Sequence, residues 1–197
     1  SISNATLTVS NWFTQIRADE VAILNLGCIG LPPAFADGAM SNRIAVTAAV
    51  FRVEAGGTLN ADGKGFLVAN GPAKGSQSGS NNNSGGGHGG RGGDEGGGSG
   101  GPEWGLSNAP VIPGSGGGRW TSSAYPTTNG CGGGVIRIEA DTVVVNGVLS
   151  ARGTLGLQYD GGGAGGAIWI TCTTFAGTNG VIQTDGGNGG SAYGGGG

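Results

Sequence analysis

The chain has 197 residues, of which 49 are glycine, and only 11% are charged, for a formal net charge of −3. Glycine costs roughly 1 kcal/mol per helical position relative to alanine, which excludes a helical bundle, and the absence of a sustained Gly-X-Y register excludes collagen. Hydrophobic residues reach 36% and gather in short β-branched runs, as in an all-β chain punctuated by glycine rather than a disordered one.

The Lys and Arg residues are scattered, so the chain has no electrostatic footprint for nucleic acid. The longest apolar stretch, residues 21–31 (VAILNLGCIGL), is too short and too interrupted to cross a bilayer. The chain opens on Ser1 without an initiator Met, and we read it as a processed product whose targeting segment is gone.

In chain order, Ile2, Leu7 and Val9 suggest a first strand and residues 21–26 a second, before Pro32-Pro33 breaks the pattern. Residues 1–40 are therefore set apart as N-terminal strands with a possible role in linking subunits. Three later segments repeat one another: residues 44–63 (IAVTAAVFRVEAGGTLNADG), 135–153 (VIRIEADTVVVNGVLSARG) and 168–186 (IWITCTTFAGTNGVIQTDG). Their closing turns align residue for residue, Leu59 with Leu149 and Ile182. Within each unit the strands alternate with period two. Ile136, Ile138 and Ala140 share one face with Arg137 and Glu139 on the other; Ile168, Ile170 and Cys172 repeat that inner row.

A pattern that returns this way, without two-residue hairpin turns, predicts a right-handed parallel β-solenoid over residues 41–197. An immunoglobulin-like sandwich is the competing arrangement. The solenoid is expected to be interrupted by a glycine-rich insertion, residues 76–134. At its centre (GGGHGGRGGD) every third residue is not glycine, which matches polyproline II and would align His88, Arg91 and Asp94 along one solvated edge.

The succession GGGHGG (85–90), PGSGGG (113–118), GGGVIRIEA (132–140), GGGAGGAIWI (161–170) and GTNGVIQTDGGNGG (177–190) resembles the glycine-rich β-solenoid repeats of large extracellular surface and fibre proteins of protists and bacteria. The resemblance covers residues 85–190 and implies a secreted, non-catalytic structural or adhesive role. Residues 1–40 carry no part of it.

Chemistry is sparse. Residues 97–101 (GGSGG) formally satisfy the nucleophile-elbow pattern, but they lie in glycine with neither strand nor helix beside them. Asp62 and Asp185 occupy matched turn positions with Arg152 between them, and Glu139 and Asp141 lie on one strand; nothing draws either pair into a cleft. No catalytic residue, cofactor or metal site is expected. Trp104, Trp120, Tyr125 and Trp169 are candidate contact aromatics, on loops or outward strand positions. Asn4 and Asn82 begin glycosylation acceptor sequences, with Asn129 a weaker third. Cys172 falls at an inward position, so elimination pairs Cys28 with Cys131 as the candidate disulfide.

The expected function is that of an extracellular structural protein, a subunit polymerising end to end with copies of itself into a surface fibre. The alternatives are a glycan-binding adhesin module and, after it, a polysaccharide-degrading β-helix enzyme. No nucleic acid and no membrane span are expected.

Overall fold

The computed structural model of the chain describes residues 1–41, 43–77, 83–106, 108–120, 128–190 and 194–197. Among them are nine strands and no helix: β1 (Thr6–Thr8), β2 (Ile16–Ile23), β3 (Cys28–Gly30), β4 (Ile44–Val53), β5 (Thr58–Asn60), β6 (Val135–Val145), β7 (Val148–Ser150), β8 (Ala167–Ala176) and β9 (Val181–Gln183). The odd-numbered strands form one sheet in the order β1-β3-β5-β7-β9, and the even-numbered ones a second in the order β2-β4-β6-β8. Every neighbouring pair is parallel.

The expected right-handed β-solenoid with an insertion is corrected by this arrangement. The described residues form a compact, helix-free body of two parallel sheets, five-stranded and four-stranded, between which the chain alternates. Nor does the segment 76–134 stand apart from that body. Its glycine runs are tied by backbone hydrogen bonds to loops on either side of it in sequence: Gly87 N donates to Ala73 O and Gly86 N to Gly162 O. Without side chains these runs pack backbone against backbone instead of looping out.

The three repeated segments lie side by side in register. Ile44 pairs with Ile136 and Ile136 with Ile168; Ile138 pairs with Ile170. In the short strands Leu59 pairs with Leu149, and Leu149 with Ile182. The apolar positions of both sheets meet between them, where Phe51, Ile136, Ile138, Leu59 and Leu149 are fully buried. Burying one such side chain contributes about 1.5–3 kcal/mol.

The long strands share a feature that period-two reading misses. Inward positions run Ile44, Val46, Ala48 and then Phe51, Val53, so the parity changes after Ala48. The same change occurs in β6 between Ala140 and Val143. Asp19, Ala49, Asp141 and Thr173 stand at this point of the four strands, outside the paired register and exposed. A one-residue offset moves every later side chain to the other face, so the strands keep one core only because all four make the offset together.

Each short strand from β3 onward is preceded by a close approach that glycine permits. A Cβ on Gly57 would lie 2.7 Å from the Ile23 carbonyl oxygen, and one on Gly147 2.5 Å from that of Glu54.

Beyond the sheets, the glycine runs form a bundle. Successive amides in a run donate to different neighbours: Gly85 to Gly93 O, Gly86 to Gly162 O and Gly87 to Ala73 O. The run at 132–134 does likewise, to Phe66 O, Ala164 O and Ala61 O. Donors that rotate through three directions in three residues suit an extended chain with three residues per turn.

Residues 1–40 supply β1, β2 and β3 to the two sheets. Beyond the Pro32-Pro33 break, Phe35 packs edge-on against Phe66 with ring centroids 5.0 Å apart.

Candidate functional site

Among the described residues the two sheets end in β1 and β2 on one side, where Ile2 pairs with the end of β2 at Ile23, and in β8 and β9 on the other. Exposure along a single ladder shows what the ends lack. Val143 is fully buried, whereas Phe175, its neighbour on β8, is 54% exposed. At the opposite end Leu7 on β1 is 43% exposed over the buried Ile29. Natural sheet edges are commonly blunted by charge, proline or a covering segment. β8 (AIWITCTTFA) and β9 (VIQ) carry no charged residue and no proline.

A cleft of about 670 Å³ lies beside the start of β8, bounded by His88, Glu103, Trp104, Leu106, Ile168 and Thr184 among others. The Trp104 side chain is 46% exposed, and its backbone is fixed by a 2.6 Å hydrogen bond from Trp104 N to His88 O. Gly105 adopts φ +100°, a conformation that favours glycine, and a Cβ there would lie 3.4 Å from His88 Nε2.

His88 is not the solvated residue expected from its glycine flanks. It is only 6% exposed. Burial pushes its pKa down, opposed by hydrogen bonds to backbone groups of Gly166, Ile112 and Gly165. Arg91 and Asp94, expected on the same edge, do meet at 2.6 Å. The Asp94 carboxyl is held below its ordinary range first by the Gly100 N–H and then by Arg91. The glycines that made His88 look solvated are what let neighbouring backbone close around it.

The contact aromatics separate. Trp120 packs edge-on against Tyr159 at 5.0 Å, and Trp169 lies under the Arg137 guanidinium at 4.5 Å. Both are half-buried, so Trp104 alone of the described three opens onto the cleft. Tyr125 lies outside the described residues, as does Asn82. Asn4 is exposed in the turn before β1, with φ +50°. The expected Cys28–Cys131 bridge is not formed: both residues are thiols, as is Cys172. Cys131 is buried in the glycine bundle and Cys28 half-buried on β3. Cys172 is half-buried against the core.

The matched turn positions do come together. Asp62 Oδ1 accepts hydrogen bonds from Ser150 Oγ at 2.5 Å and Arg152 N at 2.7 Å, while Arg152 Nε lies 3.3 Å from Asp185 Oδ2. The two carboxylates thus flank an arginine and tie adjacent turns. Among the described residues no helix is long and apolar enough to cross a membrane, and no group of three or more His, Cys, Asp or Glu is placed to hold a metal ion.

Compared with known proteins, the chain matches no family model, no curated protein and no solved structure.

Proposed function

We propose that the protein is an extracellular structural subunit that associates end to end with copies of itself into a fibre. The observation that carries this reading is the exposure of apolar side chains where the ladders end. Phe175 and Ile182 at one end and Leu7 at the other stand exposed above positions that are fully buried one strand away. Parallel edges of this kind are templates for another chain, and a contact between unlike ends of a molecule generates an open filament. In register, Ile182 of one molecule would meet Leu7 of the next, extending the row Leu7, Ile29, Leu59, Leu149, Ile182. Secretion fits the exposed acceptor at Asn4 and the low charge.

Electron microscopy of the purified protein, with light scattering across dilution, tests this. Uniform fibres that shorten on dilution support the reading, and a monodisperse monomer at all concentrations rejects it.

A second reading, a glycan-binding module, is favoured by one observation, the half-exposed Trp104 ring at a cleft that also offers Glu103 and Thr184. An aromatic face stacks on the apolar face of a sugar ring while polar groups receive its hydroxyls. Glycan-array binding lost in Trp104→Ala and retained in Trp120→Ala would favour it.

A further inference from the structure

Two arginines far apart in sequence are brought together by the register of the long strands. Ile44 of β4 pairs with Ile136 of β6, and both side chains lie in the core. Arg43, one residue before Ile44, and Arg137, one residue after Ile136, therefore fall on the outer face of the sheet. β4 and β6 are its two inner strands, so the pair lies between the edges.

Each guanidinium rests on an indole. Arg43 lies 5.2 Å from the centre of the Trp12 ring and Arg137 4.5 Å from that of Trp169. Arg137 also donates from Nε and Nη2 to Glu139. Arg43 has no such partner. The described residues include every Asp and Glu of the chain, and none of them forms an ion pair with it. Its Nε is buried without a hydrogen-bond partner, an arrangement that is rare in folded proteins. Burial and the neighbouring Arg137 both push the Arg43 pKa down, and Glu139 opposes them. With one glutamate between two arginines, the cluster keeps an unbalanced positive charge. A cation partly withdrawn from water and set beside another cation is stabilised by an anion that accepts hydrogen bonds from both.

We propose that Arg43 and Arg137 form a binding site for one carboxylate group of an acidic ligand. A single negative charge balances the excess. The planar carboxylate also matches the guanidinium fork, whose parallel N–H groups donate to its two oxygens. Glu139 engages Nε and Nη2 of Arg137, which leaves Nη1 for the ligand. Stacking on the indoles positions both guanidiniums before a ligand arrives, so less side-chain freedom is lost on binding. A small free acid and an acidic sugar within a glycan both present this group. The site rests neither on end-to-end association nor on the cleft at Trp104.

The test uses the full chain and a fluorescently labelled oligogalacturonate, read by fluorescence anisotropy. Unlabelled oligomer, galacturonate monomer and the methyl-esterified oligomer serve as competitors. The acid oligomer should bind saturably, at least tenfold more tightly than its ester, and more weakly as salt rises. Arg43→Gln should weaken binding at least tenfold. Glu139→Gln, which removes the competing carboxylate, should strengthen it. Lys74→Gln, at the exposed pair with Asp37, should leave it unchanged. Circular dichroism checks folding, and because glutamine has the shape of glutamate, the Glu139 variant keeps the test open should Arg43→Gln unfold. Monomer that competes as well per carboxylate as the oligomer makes the occupant a small free acid, and an oligomer that competes better makes it a glycan. Equal binding of the ester, or no binding of either acid, overturns the site. So does undiminished binding in folded Arg43→Gln, or weaker or unchanged binding in Glu139→Gln.

Discussion

Ile182 stands over Leu149 in parallel register, and where Leu149 is fully buried, Ile182 is 47% exposed. The difference is one missing layer. Replacing Ile182 or Phe175 by lysine puts a charge on this unpaired end and should abolish self-association. The fold should persist, because each side chain already reaches solvent. Light scattering and thermal melting read the two effects separately. Undiminished assembly in both variants would place the contact elsewhere.

Two glycines make a matched pair. A Cβ on Gly117 would fall on the backbone carbonyls of Gly161 and Gly162, whereas one on Gly89 meets nothing within 4 Å. Gly117→Ala should therefore destabilise the protein by more than about 2 kcal/mol, as overpacking against backbone does. Gly89→Ala should stay within about 0.5 kcal/mol of the parent. Denaturant unfolding of both variants checks the contrast, and equal costs would mean that the bundle is looser than described.

Much of the sheet was legible because its signal is carried by side chains. The repeated inner row of Ile136, Ile138, Ala140 and Ile168, Ile170, Cys172, and the aligned Leu59, Leu149 and Ile182, come out paired as their sequence spacing implies. The glycine-rich part was not legible for the converse reason. Its contacts are backbone to backbone, so nothing in the sequence says which run meets which. A segment read as an insertion therefore proves to be packed among runs from elsewhere, and a histidine read as solvated is buried there. The parity change after Ala48 was missed because Ala49 and Ala48 are the same residue type. The cleft at Trp104 draws on residues from widely separated parts of the chain, and no local pattern announces it.

The burial of His88 has a consequence for acid stability. Its folded-state pKa is depressed below the ordinary 6.5, chiefly by desolvation. Above 6.5 both folded and unfolded states hold it neutral, and it adds no pH dependence. As pH falls below 6.5 the unfolded state takes up the proton first, so stability declines and then levels once pH has passed the folded-state value. Melting curves from neutral to mildly acidic pH should show this decline in the parent and a flatter profile in His88→Gln. The fall due to Asp94 and Glu54, whose carboxyls are also depressed, belongs to more acidic solution. A parent profile that is flat between pH 6.5 and the carboxylate range would mean that His88 is solvated.

The three thiols give a direct count. Unfolded without reductant, the chain should react with three equivalents of a thiol reagent, since Cys28, Cys131 and Cys172 are unbridged. In the folded protein Cys131 should react most slowly, because burial both shields it and pushes its pKa up. A single reactive thiol in the unfolded chain would show that a disulfide had formed.

The glycine bundle also bears on mechanical strength. In a sheet, hydrogen bonds lie in one plane, and a load applied along the strands can slide one past its neighbour. Around residues 85–87 the amides reach Gly93, Gly162 and Ala73 in turn, so displacing that one segment means rupturing links on three sides at once. A thread built from such units would have no single cleavage plane there, and stiffness would come from peptide groups alone.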